Sequence, residues 1–207
     1  MTSVLIAIEG IDGSGKTSLA RFLVEKLKEL GYDAILLKEP TDSKWGKKIK
    51  ESYKSRLSPE EELRLFLLDR EYDVKNNIIP ALESGKIVIM DRYYFSTIAY
   101  QGALGFDPDE LKRMNEEIAP KPDLLIILDL NPEKALERIK NRDEPNEFER
   151  KEYLSRVREI FLSIEDEDVD ILVVDANRDQ DEIRSLVLDR VLVDLSKGKS
   201  KKKEEVS

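Results

Sequence analysis

Five stretches of the chain are apolar almost without interruption and are rich in β-branched residues. Continuous apolarity, without alternation of apolar and polar positions, predicts parallel strands that are covered on both faces. The predicted strands are SVLIAIEG (3–10), YDAILLK (32–38), KIVIMD (86–91), DLLIILDL (123–130) and VDILVVDA (169–176). The stretches between them have helical spacing and predict helices at 16–30, 44–54, 59–84, 94–103, 108–118, 132–141, 150–165 and 179–195.

Residues typical of helix ends support several of these boundaries. In Ser58–Pro59 and Asn131–Pro132, each proline falls at the first position of a predicted helix. Gly31 and Gly85 follow predicted helices, where a residue in the left-handed conformation is common. The alternation of strands and helices predicts an α/β fold with a doubly wound sheet of five parallel strands and helices on both faces. Ligands of such sheets bind at the carboxyl ends of the strands.

The composition narrows the range of functions. The 207 residues fit one domain, and 40% hydrophobic residues suffice for a substantial core. The net charge of −9 argues against a surface that binds nucleic acid. The chain contains neither cysteine nor histidine, which excludes disulfides, thiol chemistry and the most common general base. Any catalysis must therefore depend on positioning and on fixed charges.

The ends of the chain suggest its location and the extent of the folded domain. No apolar run approaches ~18 residues, and the N-terminus opens into a predicted strand without the features of a signal peptide. We therefore expect a cytoplasmic protein that does not bind a membrane. One domain is expected over residues 1–196, followed by a charged, disordered tail at 197–207. The alternative for this tail is an arm that binds nucleic acid, and Glu204 and Glu205 disfavour it.

Residues 10–17, GIDGSGKT, match the phosphate-binding pattern G-x-x-x-x-G-K-[ST] in full. A predicted strand precedes the motif and a predicted helix follows it. Backbone N–H groups of such a loop surround phosphate oxygens, and the helix N-terminus adds positive potential. Lys16 is expected to reach the β- and γ-phosphates, and Thr17 to bind Mg²⁺. The residues assigned to ATP are Gly10, Ile11, Asp12, Gly13, Ser14, Gly15, Lys16 and Thr17.

Three further segments carry polar residues beside apolar ones. Two of them lie at the ends of predicted strands, and the third is an apolar helix face that ends at a polar residue. They are LKEPTDSKWG (37–46), RLFLLDRE (64–71) and MDRYYFSTIAYQGALG (90–105). Arg92 lies where a planar guanidinium could hold an anionic group beside the triphosphate. Asp91 could hold the Mg²⁺ directly or through water. The chain has no N-K-x-D motif for guanine and is short for a motor ATPase, so a compact kinase is favoured.

At these segments the chain resembles thymidylate kinases. EGIDGSGKT, EPTDS, LFLLDR, DRYYFSTIAYQGA and PDLLIILDL occur in the order and spacing of that family, from about residue 4 to about residue 175. The resemblance implies a P-loop kinase fold, in agreement with the predicted sheet. It also implies a phosphotransferase that uses ATP and Mg²⁺ to convert dTMP to dTDP by direct in-line transfer, a step of nucleotide biosynthesis towards dTTP.

The resemblance implies roles for residues around the phosphate and the sugar of dTMP. Asp12 would contact the 3′-hydroxyl and help to organise Mg²⁺; a turn or capping role is the alternative. Arg92 would hold the acceptor phosphate in line with the γ-phosphate, with Lys38 assisting. The ring of Tyr100 would crowd the 2′ position and thereby exclude ribose.

Other matching residues would recognise the base. Phe66 would stack on thymine, although a phenylalanine in LFLL is more often a core residue. Arg70 would pair with the edge of thymine, and a surface salt bridge is its alternative. Thr97 and Gln101 would face the pyrimidine.

One departure from the family pattern concerns the catalytic cation. Some family members carry an arginine directly after the phosphate-loop aspartate, whereas this chain has Gly13. In the other subclass a mobile lid supplies the cation. We expect the lid at about 138–150, where the basic residues are Arg138, Lys140, Arg142 and Arg150, and we assign the role to Arg142. A solvated loop is the alternative.

Two other functions remain open at this stage. A kinase of relaxed specificity could also act on dUMP or purine monophosphates, because a missing methyl group costs only about 1–3 kcal/mol of discrimination. A nucleotide-dependent switch or binding module without kinase activity is the alternative from another class. The resemblance further implies a homodimer.

Overall fold

One sheet of five parallel strands runs through the molecule in the order β2-β3-β1-β4-β5. The computed structural model describes residues 3–52, 57–139 and 147–204. The strands are β1 Val4–Glu9, β2 Ala34–Lys38, β3 Ile87–Asp91, β4 Leu124–Asp129 and β5 Asp170–Asp175. This confirms the predicted sheet. The central strands β1, β3 and β4 are almost fully buried, as their continuous apolarity predicts.

Helices connect these strands and flank the sheet. Their bounds are α1 Lys16–Glu29, α2 Lys44–Ser52, α3 Pro59–Asp73, α4 Ile79–Glu83, α5 Tyr94–Gly102, α6 Pro108–Glu116, α7 Pro132–Ile139, α8 Glu147–Leu162 and α9 Gln180–Glu204. The single helix predicted at 59–84 is interrupted by a π-helical turn at Val74–Ile78. The interruption has a physical cause, because Pro80 has no N–H group and its ring crowds the carbonyl one turn earlier.

The predicted helix ends are present. The Ser58 hydroxyl accepts a hydrogen bond from the Glu61 amide (3.2 Å), and the Glu61 carboxylate accepts one from the Ser58 amide (3.4 Å), which forms a capping box. Asn131 caps α7 through its side-chain oxygen. Gly31 and Gly85 have φ values of 84° and 79°, as predicted for residues that end helices.

The C-terminal segment differs from the sequence-based expectation. The backbone of α9 is helical through residue 204, whereas a disordered tail was expected from residue 197. Lysine and glutamate are good helix formers, so a charged segment can continue a helix that its apolar face has anchored. Val187 and Val191 provide this anchor in the core. Within the described ranges, no helix is long and apolar enough to cross a membrane.

The register of the sheet places the polar strand ends together. Ile8 of β1 and Lys38 of β2 both lie opposite Asp91 of β3. The loop that follows β1 therefore begins beside the last residues of β2 and β3. This edge of the sheet carries the candidate site.

Candidate active site

The loop between β1 and α1 has the backbone of a phosphate-binding loop. Gly10, Gly13 and Gly15 have φ values of 138°, 81° and 101°. At Gly10 any Cβ would lie 2.5 Å from the Leu128 carbonyl oxygen, so only glycine fits there. The loop ends where α1 begins at Lys16, so its N–H groups and the helix N-terminus are available to an anion.

Lys16 is buried inside this loop. Its Nζ donates hydrogen bonds to the carbonyl oxygens of Gly10 and Ile11, both at 2.9 Å. Burial and then the positive charge of Arg92 lower the pKa of Lys16 to about 7. The amine is therefore held where a polyphosphate would both attract it and raise its pKa.

Thr17, Lys38 and Asp91 meet at the mouth of the loop. The Thr17 hydroxyl donates to Oδ2 of Asp91 at 2.6 Å, and Lys38 Nζ lies 2.9 Å from the same oxygen. The other oxygen, Oδ1, is buried and has no hydrogen-bond partner among the described residues. A hydroxyl and an underused carboxylate suit Mg²⁺, which prefers oxygen ligands and keeps several waters.

Arg92 follows directly after β3 and has an unusual backbone conformation. Its φ is 74°, in the left-handed region that a non-glycine residue rarely adopts. Its guanidinium forms an ion pair with Asp12 and donates to the Ser96 hydroxyl at 2.9 Å. It also lies over the Tyr100 ring, 5.2 Å from the centroid. Strain of this kind is typical of functional sites.

Glu9 stabilises the turn that follows Arg92, although the sequence did not identify it as a site residue. Its carboxylate accepts hydrogen bonds from the Tyr93 amide (2.7 Å), the Ser96 amide (3.0 Å) and the Ser96 hydroxyl (2.6 Å). It thus caps α5, whose own N-cap residue makes no side-chain cap bond. Burial raises the pKa of Glu9, and the charge of Arg92 opposes that shift. A glutamate at the end of an apolar strand was the available signal.

A cavity of about 490 Å³ opens beside the loop. Its volume is in the range of small-molecule sites. Every residue expected to contact dTMP lines it, namely Asp12, Lys38, Phe66, Arg70, Arg92, Thr97, Tyr100 and Gln101. Other lining residues were not predicted: Glu39, Pro40, Lys50, Glu62, Tyr93, Ser96 and Tyr153.

Arg70 lines this cavity and is buried, with 1% of its surface exposed, so it is not a surface salt bridge. Its Nε donates to Glu39 at 3.1 Å, and its Nη2 pairs with the same carboxylate oxygen. Its Nη1 donates to Thr97 at 3.1 Å and to Asn115. Burial raises the pKa of Glu39 to about 7, while the charge of Arg70 opposes that shift.

Aromatic side chains form the walls. Phe66 is only half-buried and faces the cavity, so it is not a core residue. The Tyr100 hydroxyl accepts a hydrogen bond from the Asp12 amide at 3.2 Å, and its ring packs edge-on against Tyr153 at 6.2 Å between centroids. Gln101 donates to Glu62 at 2.9 Å, while its Oε1 is buried without a partner in the described part of the chain.

The sequence matches a known family over most of its length. The family model described as thymidylate kinase matches residues 8–187. The chain belongs to the thymidylate kinase family. A probable thymidylate kinase of Archaeoglobus fulgidus is 56% identical over 184 residues, which cover 89% of this chain and 92% of that protein.

Bacterial thymidylate kinases are similar over much of the chain as well. The enzyme of Xylella fastidiosa is 48% identical over 164 residues, 78% of each chain. That of Xanthomonas oryzae pv. oryzae is 48% identical over 182 residues, 87% of this chain and 79% of that protein. The segments that suggested the family lie inside residues 8–187, which the family model matches, so the resemblance to thymidylate kinases is confirmed.

A smaller cavity of about 170 Å³ lies on the other side of the phosphate loop. It is lined by loop glycines and by Arg138 and Arg184. Arg138 donates to the carbonyl oxygens of Gly13 and Ala176, both at 3.2 Å. Arg138, the first residue of the expected lid, therefore contacts the phosphate loop directly.

The rest of the expected lid lies only partly within the described residues. Arg142 and the other residues from 140 to 146 lie outside the described residues. Arg150, on α8, is described. Burial opposes the ionisation of Asp12, but the charges of Arg92, Lys16 and Arg150 outweigh burial and lower the pKa of Asp12. The lid end of α8 thus contributes positive potential to the site.

The pKa of Lys16 predicts proton uptake on ATP binding. At pH 8 a group with a pKa of about 7 is mostly neutral. A bound polyphosphate raises this pKa, so the complex takes up a fraction of a proton. Calorimetric titrations with ATP at pH 8, in buffers of different ionisation enthalpy, measure this uptake. The Lys16→Met variant should show none, and equal enthalpies in all buffers for the unaltered protein would contradict the prediction.

Proposed function

We infer that this protein transfers the γ-phosphoryl group of ATP to dTMP and so forms ADP and dTDP. The observation that carries this inference is the contact between Asp12 of the phosphate loop and Arg92 of the cavity. A donor phosphate in the loop and an acceptor phosphate at Arg92 would be neighbours. In-line transfer requires this proximity.

The phosphate loop, residues 10–17, is proposed to hold the phosphates of ATP. Lys16 would exchange its contacts with Gly10 and Ile11 for the β- and γ-phosphates. The smaller cavity, between Arg138 and Arg184, is continuous with the loop and offers room for the rest of the nucleotide.

In the larger cavity we propose that Arg92 and Lys38 hold the phosphate of dTMP. Arg92 would give up part of its pairing with Asp12, which then becomes available to the 3′-hydroxyl. Tyr100 would pack against the deoxyribose. Both cations lie next to the loop, since Arg92 pairs with Asp12 and Lys38 Nζ donates to the Thr17 hydroxyl at 3.5 Å.

The base is proposed to lie between Phe66 and the buried polar groups. Arg70 would donate to the edge of thymine, and Thr97 and Gln101 would face the ring. The unpaired Oε1 of Gln101 is suited to accept a hydrogen bond from the base.

Magnesium is proposed to bind at Thr17 and Asp91, whose oxygens fit this ion, with Asp12 helping to organise it. When bound, it neutralises charge on the transferring phosphoryl group. The chain supplies the rest by positioning, with Lys16 and Arg92 stabilising the equatorial oxygens. No general base is required, because the acceptor phosphate is already an anion near neutral pH.

Gly13 in the phosphate loop supports the subclass in which a lid supplies the catalytic cation. We keep Arg142, within the lid at about 138–150, as the proposed donor. Closure of the lid would exclude water, which otherwise competes as acceptor.

Several broader features remain proposals. They are a single kinase domain over residues 1–196, a cytoplasmic location and a homodimer. Sedimentation velocity over a range of protein concentrations tests the last of these.

The test of the proposed function is an ADP-release assay with ATP, Mg²⁺ and one monophosphate at a time: dTMP, dUMP, UMP, dCMP, dGMP or AMP. We expect ADP release to depend on the monophosphate and to be fastest with dTMP. Comparable rates with several bases would favour the relaxed-specificity kinase. ADP release that ignores the monophosphate would overturn the proposal.

Tyr100→Ala is expected to relax the choice of sugar. Removing the ring opens the space beside the 2′ position, so the rate with UMP relative to dUMP should rise roughly 10-fold. These substrates differ only in the 2′-hydroxyl. Competition between the two monophosphates measures the ratio. Tyr100→Phe retains the ring and should keep the preference for deoxyribose; an unchanged ratio in Tyr100→Ala would contradict the assigned role.

A further inference from the structure

We propose that Asn115, which lies on α6 outside the cavity, is a positioning residue for base selection. It fixes the orientation of the Arg70 guanidinium, in which a single N–H group is left to bind the base. The inference rests on the proposed function, in which Arg70 reads the edge of thymine. Nothing in the sequence indicates this role, because Asn115 lies in an ordinary charged helix.

Most of the hydrogen-bond donors of Arg70 are already paired within the protein. A guanidinium has five N–H groups in a rigid plane and can only donate. One N–H on Nε and one on Nη2 point to Glu39, and the two on Nη1 point to Thr97 and Asn115. Four N–H groups are therefore used, by one residue directly after β2, one on α5 and one on α6. The remaining one, on Nη2, has no partner in the described ranges.

The amide of Asn115 is itself fixed. Its Nδ2 donates to the Leu111 carbonyl oxygen at 2.7 Å, and its Oδ1 faces Arg70. The partners determine this orientation, because a carbonyl oxygen can only accept and a guanidinium can only donate. Asn115 is 0% exposed, so water cannot replace either contact.

Asn115 can orient Arg70 without itself contacting a molecule in the cavity. Asn115 does not line the cavity, whereas Arg70, Thr97 and Glu39 do. Glu39 holds the Nε and Nη2 side of the guanidinium, and Asn115 holds the Nη1 side together with Thr97. Without Asn115, one Nη1 N–H loses its partner and the plane can tilt about the Glu39 contact. The N–H reserved for the base then has no fixed direction.

A single fixed donor discriminates between pyrimidines. Thymine presents a carbonyl oxygen, which accepts the N–H, where cytosine presents an amino group, which also donates. Two donors facing each other in a buried site are strongly unfavourable because each lacks its partner. A tilted guanidinium relieves this conflict for cytosine and weakens the contact with thymine.

The test measures binding of dTMP and dCMP by calorimetry, so that it does not depend on turnover. Asn115→Ala and Asn115→Leu remove the acceptor, and the leucine keeps most of the volume. We expect the preference for dTMP, measured as the Kd for dCMP divided by the Kd for dTMP, to fall about 10-fold or more. In turnover assays the change should appear in KM for dTMP, with kcat and KM for ATP nearly unchanged.

Two comparisons separate positioning from general damage. Val187→Ala, a core truncation on α9, should lower the melting temperature without changing the dTMP to dCMP ratio. In an Arg70→Ala background, Asn115→Ala should have no further effect on the ratio, because Asn115 acts through Arg70. Both the single and the double variants are measured in the same way.

The outcomes distinguish a failure of the proposed function from a failure of the positioning role of Asn115. If the unaltered protein neither binds nor phosphorylates dTMP, the proposed function fails. If it does both, but the Asn115 variants keep their preference for dTMP, the positioning role is overturned. A loss of preference that persists with equal size in the Arg70→Ala background would also overturn it.

Discussion

Replacement of Arg92 by alanine is expected to lower kcat/KM for dTMP by roughly 10³-fold or more while the fold remains intact. Arg92 faces the cavity beside the phosphate loop and forms its ion pair with Asp12 across the junction of the two sites. Without it, the acceptor phosphate would lack the main cation that we propose for it, and Asp12 would add an uncompensated negative charge. Steady-state ADP release with dTMP measures the effect.

Arg113→Ala is the matched control for this substitution. The Arg113 side chain is 66% exposed on α6 and, among the described residues, pairs only with Glu117, directly after the end of that helix. Its loss should leave the rates unchanged, because exposed pairs of this kind contribute little to stability. Near-normal turnover in Arg92→Ala would show that the acceptor phosphate is held elsewhere.

Replacement of Lys16 by alanine is expected to reduce kcat by roughly 10³-fold or more. The Lys16 amine lies inside the phosphate loop, and its partners in the structure are two loop carbonyl oxygens. The loss should be larger in kcat than in KM for dTMP, because we propose that Lys16 stabilises charge on the transferring group. Rates at saturating ATP and dTMP separate the two parameters.

Lys28→Ala, at an exposed position near the end of α1, is the control for Lys16. It removes the same type of side chain from the same helix and should not change kcat. Thermal unfolding of both variants checks the fold. If Lys16→Ala retained its kcat, the loop would not be where the phosphoryl group is transferred.

Much of this architecture follows from local sequence features. The strands are recognisable because each is an apolar run bounded by turns, and the phosphate loop because its glycines, lysine and threonine are contiguous. The residues around the cavity are less local. Phe66 could as well have been a core residue, and only the structure places it on the cavity wall.

Other features depend on contacts between distant parts of the chain. Glu9 caps α5 from a strand that ends 84 residues before Tyr93. Asn115 reaches Arg70 across 45 residues, and nothing in its own helix distinguishes it from a solvated asparagine. The turn at Val74–Ile78 is an intermediate case, since Pro80 signals an interruption without specifying its form.

In the proposed reaction, a phosphoryl group passes directly from ATP to a monophosphate across the junction between the loop and the cavity. A single-turnover reaction with γ-³²P-labelled ATP, excess enzyme and dTMP, quenched at short times, tests this most directly. We expect the label to pass into dTDP, with no labelled protein and almost no labelled inorganic phosphate. Label that accumulates on the protein, or that enters inorganic phosphate at the same rate with and without dTMP, would contradict it.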